Sequence, residues 1–337
     1  MRILVTGGAG FIGSNFVRWM LNRDSACHVT VLDALTYAGN LQSLSDLQNN
    51  PRFRFVHGDI RDAKAVDAVV AGHDAIVHMA AESHVDRSIS APDIFVSTNV
   101  GGTVTLLDAA RKQRIERFVH VSTDEVYGSL GPTGLFSEES PLAPNSPYAA
   151  SKAASDLMAR SYFETFGLPV MITRCSNNYG PYQFPEKLIP FFITNAMHDE
   201  HLPIYGDGLN VRDWLHVEDH CEAIAKVLLQ GKPGDVYNIG GNNEHTNLAI
   251  TTLILECLRK PASLVRYVQD RPGHDRRYAI NADKIRQELG WQPTYDFAAG
   301  LFQTLSWYQA HPEWWRPLRE RALDAKRAAA NQILSGN

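Results

Sequence analysis

The stretch Arg2-Ile3-Leu4-Val5-Thr6-Gly7-Gly8-Ala9-Gly10-Phe11-Ile12-Gly13 decides the fold. Its apolar opening reads as a strand covered on both faces, and Gly7, Gly10 and Gly13 stand where that strand turns into a helix. Glycine at those places permits a tight turn, lets a pyrophosphate approach the backbone, and lets the helix pack close on the sheet. The helix, with Phe11 and Ile12 in its first turn, then presents unpaired N–H groups and a partial positive charge to phosphates. Glycine-rich turns are common, but strand, motif and helix in this order specify a dinucleotide site. The second strand ends at Asp33, 20 residues after Gly13. A carboxylate there accepts hydrogen bonds from the adenosine ribose hydroxyls and repels a 2′-phosphate. Ala34-Leu35-Thr36 brings no arginine to reverse that preference, so the expected cofactor is NAD. Asp59-Ile60 follows the third strand, where Asp59 either meets the adenine amino group or simply makes a turn.

Outward from this start, short apolar runs alternate with amphipathic stretches. The spacing predicts strands over Ile3–Thr6, Val29–Asp33, Phe53–His57, Ala75–His78, Phe118–Ser122 and Val170–Arg174, with helices over Gly13–Arg23, Ala63–Val70, Val100–Lys112 and Tyr148–Phe166. That alternation specifies an α/β fold, a doubly wound parallel sheet of the Rossmann kind. After about Asn177 the regularity breaks: Pro181, Pro185, Pro190, Pro203 and the Gly206-Asp207-Gly208 turn punctuate a loop-rich stretch, and βα pieces return near Val236–Ile239 and Asn247–Leu258. The expected organisation is an NAD-binding domain over 1–176, a smaller loop-rich α/β substrate lobe over 177–315 that partly interleaves with it, and a C-terminal helix or tail over 316–337. The mixed Arg, Lys, Asp and Ala from Trp314 to Ala330 read as a solvated helix.

The 337 residues carry 32 Lys and Arg against 37 Asp and Glu, a net charge of −5. That balance lacks the basic bias of a nucleic-acid binder, so any anionic ligand has to be held by local cations and helix ends. Cys27, Cys175, Cys221 and Cys257 lie far apart with no C-x-x-C pair, which argues for reduced thiols and no metal site. Cys175 reads as a small buried filler. The chain starts on a strand without a basic and apolar leader, and no apolar run approaches the roughly 20 residues that span a bilayer. A cytoplasmic protein with no membrane contact is expected.

Tyr148-Ala149-Ala150-Ser151-Lys152 puts a phenol and an ammonium on one helical face. An ammonium beside a phenol favours the phenolate, which predicts a Tyr148 pKa lowered from about 10. Next to a nicotinamide, such a phenolate takes a hydroxyl proton as hydride leaves the same carbon. Gly7-x-x-Gly10-x-x-Gly13 with Tyr148-x-x-x-Lys152 resembles the extended short-chain dehydrogenase/reductase family. Within it, Ala80-Ala81-Glu82-Ser83-His84-Val85-Asp86-Arg87-Ser88 and Ser122-Thr123-Asp124-Glu125-Val126-Tyr127-Gly128 closely resemble the dTDP-glucose 4,6-dehydratases, as do Asn177-Asn178-Tyr179-Gly180-Pro181-Tyr182-Gln183 and Asp270-Arg271-Pro272-Gly273-His274-Asp275. The resemblance runs to about Tyr308.

The resemblance implies a reaction in three stages. Tyr148 accepts the C4 hydroxyl proton while hydride passes to NAD; Glu125 removes the C5 proton and Asp124 protonates the departing C6 hydroxyl; hydride then returns to C6. Adjacent carboxyls can play acid and base only if their surroundings separate their pKa values. Thr123 is implied to hydrogen-bond the C4 oxygen, and Lys152 to hold the nicotinamide ribose as well. Thr36, Met79, Ala80, Ala81, Ser83, Thr98 and Asn178 are implied as further cofactor contacts. For the sugar nucleotide, Arg212 and Arg271 suit a bidentate phosphate grip. Ser83, Asn177, Lys187 and Leu188 match further substrate positions, Pro203 and Tyr205 the segment against the base, and Asn247 and His274 the remaining contacts. The compact stretch between Phe136 and Glu139 resembles the shorter members of secondary-metabolite sugar pathways.

The partners expected are a dTDP-sugar, most of all dTDP-glucose, and a second copy of the chain, because the Val100–Lys112 and Tyr148–Phe166 helices resemble the family's dimer-forming four-helix bundle. Two other readings stay open. A sugar-nucleotide 4-epimerase has no need of Asp124-Glu125, and a non-catalytic NAD-binding sensor has no need of Tyr148 or Lys152.

Overall fold

Parallel strands cannot be joined by hairpins, so each return crosses a face of the sheet, and helices accumulate on both sides. The computed structural model describes residues 1–270 and 273–322 and has this arrangement. Its strands in chain order are β1 (Arg2–Thr6), β2 (His28–Asp33), β3 (Phe53–His57), β4 (Ala75–His78), β5 (Arg117–Thr123), β6 (Val170–Cys175), β7 (Asn177–Tyr179), β8 (Leu202–Tyr205), β9 (Val211–His216), β10 (Val236–Ile239), β11 (Glu244–Thr246) and β12 (Val265–Val268). Seven of them form one parallel sheet in the order β10-β6-β5-β4-β1-β2-β3.

The pleat sends alternate residues to opposite faces. Ile3, Val5, Val29, Val31 and Val77 pack under the helices Phe11–Arg23 and Val217–Gln230 through Phe16, Val17, Met20, Ile224 and Leu228. Leu4, Leu32, Ile76, Phe118 and Ile172 face the other way, against Val66, Val70, Leu106, Leu107 and Ala159 of the helices Ala63–Val70, Thr103–Lys112 and Pro147–Phe166. Each fully buried Val, Leu or Phe contributes about 1.5–3 kcal/mol. The sheet draws its edge strand β10 and one covering helix from beyond residue 177, so the chain passes back and forth between the sheet and the second unit.

That second unit holds the three-stranded sheet β11-β9-β7, the two-stranded β12-β8, and the helices Leu188–Met197, Asn247–Leu258 and Phe297–Ala310 around Tyr179, Phe192, Trp214, Ile250 and Tyr308.

Two expectations change. The helix read from Val100 starts at Thr103, after a wider π-helical turn over Val96–Gly102 in which a Cβ on Gly102 would meet the Ile60 side chain at 2.6 Å. The C-terminal helix is not solvated in its described part, 312–322: Trp314, Trp315 and Leu318 are buried in the second core, and Arg319 reaches Asn195 and Glu200. The charges of that segment lie on one side of an apolar stripe, which a count of charges does not reveal. Residues beyond 322, in the stretch read as far as Ala330, lie outside the described residues.

Burial pushes His216 down to about 4 and His220 down to about 3. Both imidazoles are therefore neutral in the fold and charged in the unfolded chain below about pH 6.5. A depressed folded pKa contributes stability that is complete above the unfolded value and is lost as pH falls toward the folded one. Thermal or denaturant unfolding should thus lose stability from about pH 6.5 downward. In His220→Gln the loss between pH 7 and pH 5 should be smaller by about 2 kcal/mol; an undiminished loss contradicts this account.

Candidate active site

At the carboxyl ends of β1, β4, β5 and β6 the helices on the two faces diverge, as doubly wound sheets require at a switch point. A cavity of about 350 Å³ opens there. Every cofactor residue anticipated above lines it: Gly7, Gly10, Phe11, Ile12, Gly13, Asp33, Thr36, Asp59, Ile60, Met79, Ala80, Ala81, Ser83, Thr98, Tyr148, Lys152 and Asn178. So do Thr123, Asp124, Glu125, Asn177 and Lys187.

The glycines keep the backbone clear. Gly7 has φ +72°, and a Cβ there would sit 2.7 Å from the Ala80 Cα; one on Gly13 would sit 2.3 Å from the Gly7 carbonyl oxygen. Gly10 caps the Phe11–Arg23 helix without any side-chain hydrogen bond, which leaves the first-turn N–H groups for an outside acceptor. The buried Asp33 carboxylate accepts from Ala9 N at 2.9 Å and Leu35 N at 2.8 Å. Those bonds fix its orientation, and a carboxylate retains lone pairs for two ribose hydroxyls. These donors, glycines and the oriented carboxylate fit NAD. Asp59, in contrast, gives its carboxylate to Arg61 at 2.6 Å.

On the catalytic side, β5 ends in Thr123, whose hydroxyl caps the short 3₁₀ turn Asp124–Tyr127 by accepting from Glu125 N at 3.3 Å. Thr123 Oγ1 also lies 3.4 Å from Asp124 Oδ1. Burial, then the negative Glu125 and Asp213, hold the Asp124 carboxyl well above the usual carboxylate range, against the pull of Arg212. Asp124 Oδ2 is buried without a hydrogen-bond partner, as suits a carboxylic acid that keeps its proton for a substrate. Glu125 is half-buried at the rim of the same cavity.

Tyr148 departs from expectation. Burial and the nearby Glu125 raise its phenol well above 10. Lys152 donates to the Val121 carbonyl at 2.9 Å. Desolvation is the dominant influence on this phenol, opposite to the acidification that the i,i+4 spacing alone predicts. Cys175 is buried beside Asp124 with its thiol pushed up by burial, an inert filler.

The remaining described substrate residues do not line this cavity. Arg212 lies over the Tyr278 ring at 4.2 Å and donates to the Asp275 carbonyl at 2.8 Å, yet its charge is felt at Asp124. Tyr205 and His274 meet edge to face at 6.2 Å, with His274 Nδ1 2.6 Å from Asp270. Pro203 sits beside them on β8, Leu188 begins the helix after Lys187, and Asn247 opens its own helix. Arg271 lies outside the described residues. Composition and motif gave no sign of Asn99, which donates to Glu82 O at 3.0 Å and Ser151 Oγ at 2.8 Å and so ties the Tyr148 helix to the cavity wall. Tyr37, hydrogen-bonded to Ser83 at 3.1 Å under the Arg87 guanidinium, was equally silent.

The sequence family described as GDP-mannose 4,6 dehydratase matches residues 4–304. A dTDP-glucose 4,6-dehydratase of Streptomyces niveus is 57% identical over 323 residues, covering 95% of this chain and 96% of its own. The chain belongs to the dTDP-glucose 4,6-dehydratase family. The solved dTDP-glucose 4,6-dehydratase DesIV of Streptomyces venezuelae, crystallised with NAD, superposes with a TM-score of 0.92 at 56% identity, over 94% of this chain and all of that one. A UDP-glucose 4-epimerase of Thermus thermophilus with NAD also superposes, with a TM-score of 0.85 at 31% identity over 92% of this chain and 99% of that one. Dehydratase and epimerase share the fold, so the side chains at the cavity decide the chemistry.

Asp33→Ser removes a charged acceptor worth about 1.5–3 kcal/mol. It should weaken NAD binding at least tenfold and narrow the preference over NADP, as read by fluorescence titration. An unchanged ratio of the two affinities would refute the role given to Asp33.

Proposed function

We propose that the chain converts dTDP-glucose into the 4-keto-6-deoxy sugar nucleotide with loss of water, using NAD. The observation that carries this reading is Asp124: a buried carboxyl whose Oδ2 has no hydrogen-bond partner and which burial pushes toward its acid form, next to Glu125, in the cavity that also contains Tyr148 and Lys152. NAD, seated on Gly7, Gly10 and Gly13 with its ribose on Asp33, would supply the hydride acceptor for C4 and the donor for C6, and so end as it began.

The side chains of this chain perform the rest. Thr123 holds the C4 oxygen by a hydrogen bond, and Tyr148 receives the proton of the C4 hydroxyl. Lys152 would offset part of the desolvation of the Tyr148 phenolate, and the positive charge that bound NAD would supply acts in the same direction. A ketone at C4 acidifies C5–H, and Glu125 takes that proton. Asp124 gives its own proton to the C6 hydroxyl, which leaves as water. After reduction at C6, Glu125 is placed to return a proton to C5. The net change is the loss of one water, and general acid and base together supply the 10²–10⁴-fold per group typical of such transfer.

Arg212, Lys187 and Asn177 are the proposed holders of the sugar nucleotide, with Ser83 and Leu188 beside the sugar and Pro203, Tyr205, Asn247 and His274 toward the base. Arg271 belongs to this proposal on sequence alone. The preference for thymine over uracil rests on one methyl group, about 1 kcal/mol on the scale for buried methylenes. Among the described residues no helix is long and apolar enough to cross a membrane. We place the protein in the cytoplasm on its sequence.

Incubation with dTDP-glucose and NAD should yield the base-induced ultraviolet absorbance of a 4-keto sugar; silence with dTDP-glucose, UDP-glucose and GDP-mannose alike would sink the reading. Glu125→Gln should still oxidise C4 yet slow dehydration by about 10²–10⁴-fold. Dehydration at the wild-type rate would disprove the base assignment.

The proposed partner is a second copy, joined through a four-helix bundle of the Thr103–Lys112 and Pro147–Phe166 helices. In support, Leu157 on the second helix and the neighbouring Ile89 and Val96 are exposed by 57%, 47% and 57%. Sedimentation should report a dimer, and Leu157→Asp should shift it toward monomer; a wild-type monomer would exclude this arrangement.

A further inference from the structure

Beneath Tyr148 and Lys152 lies a buried run of polar groups that the proposed reaction leaves unused. Lys152 and Asp156 stand one turn apart on the Pro147–Phe166 helix, 5% and 1% exposed. Beside Val121, the carbonyl partner of Lys152, His120 Nε2 meets Ser155 Oγ at 3.1 Å and Asp156 Oδ1 at 3.3 Å. Ser155 Oγ in turn donates to the Lys152 carbonyl at 2.8 Å. Arg174 Nε donates to Asp156 Oδ2 at 2.9 Å, and its Nη1 to the Tyr127 hydroxyl at 2.9 Å. Tyr127 closes the run by donating to Asn238 Oδ1 at 2.7 Å. Tyr127 is also the last residue of the turn that begins with Asp124 and Glu125.

The charges decide what this run does. Burial pushes Lys152 toward the neutral amine, and the charge of Asp156 pushes it back. The other titratable groups facing Lys152 are Tyr148 on its own helix, Cys175 on β6, and the imidazoles of His120 on β5 and His78 on β4. Burial pushes the phenol and thiol up and both imidazoles down, each toward its uncharged form. Burial also pushes Asp156 upward, but His120, Arg174 and Lys152 outweigh it and hold it below the usual carboxylate range. Arg174, the second buried cation, is bonded to the same carboxylate.

We propose that Asp156 is a positioning residue, the buried counter-charge that keeps the Lys152 ammonium charged, and that through Arg174 and Tyr127 it fixes the redox helix against the Asp124–Glu125 turn. This rests on the reading of Lys152 given above. Breaking a buried ion network by truncation would confound charge with stability, so the test uses the isosteric amide.

The probe is dTDP-6-deoxyglucose, which can be oxidised at C4 but has no C6 hydroxyl to eliminate, so Asp124 plays no part. NADH formation is followed at 340 nm against pH. Asp156→Asn should move the alkaline limb down by about 1–2 pH units, the scale of one nearby buried charge in a medium of effective dielectric about 20. KM for the sugar nucleotide should stay unchanged, and Asp156→Glu should restore the limb. A carboxylate of purely structural value lowers Tm and leaves the limb in place, and that result in folded Asp156→Asn overturns the proposal. If the single variant does not fold, Arg174→Gln removes the cation that competes for the same carboxylate and should move the limb upward. An unmoved limb there is equally fatal. Absence of oxidation by the wild-type protein would overturn the reading of the site, and this inference with it.

Discussion

The parallel pairing of β1 with β4 places two strands whose crossover helices run to opposite faces of the sheet side by side, and a crevice opens at their carboxyl ends. Everything functional hangs from that constraint. The glycine turn after β1 forms the floor, Asp33 at the end of β2 one wall, and the loops after β4, β5 and β6 the other. Because β5 ends at the crevice, its last residue and the turn beyond it carry Thr123, Asp124 and Glu125 to the same cavity as the helix bearing Tyr148 and Lys152.

Burial then does different work on each group. It raises Asp124 and it raises Tyr148, pushing both toward their protonated forms. It presses on Lys152 as well, and there the opposing charge of Asp156 limits the effect. One dehydrated cavity can thus contain acid, base and phenol without their neutralising one another, because each has a different neighbour.

What was legible in the sequence was local. The glycine turn, the Asp33 position and the Tyr148–Lys152 spacing are fixed by a few consecutive residues, and the strands alternate so regularly that β3, β4 and β10 fall on the expected bounds. What depended on tertiary burial was hidden. Spacing alone predicts a Tyr148 phenol acidified by Lys152, but desolvation raises it, and the charges of the tail predict a solvated helix, but Trp314 and Trp315 lie in a core. Asn99 and Asp156 belong to no motif, because their partners come from distant strands and loops. Tyr205 and His274 are brought together by folding but do not line the cavity of the glycine turn.

The central claim is that hydride removed from C4 comes back at C6 of the same sugar, with Asp124 and Glu125 opening the path between. The most direct measurement is the fate of deuterium in dTDP-glucose labelled at C4. The account predicts a 4-keto-6-deoxy product with the deuterium at C6, located by NMR and mass spectrometry. Deuterium retained at C4 in an inverted sugar, or lost to solvent, would contradict it.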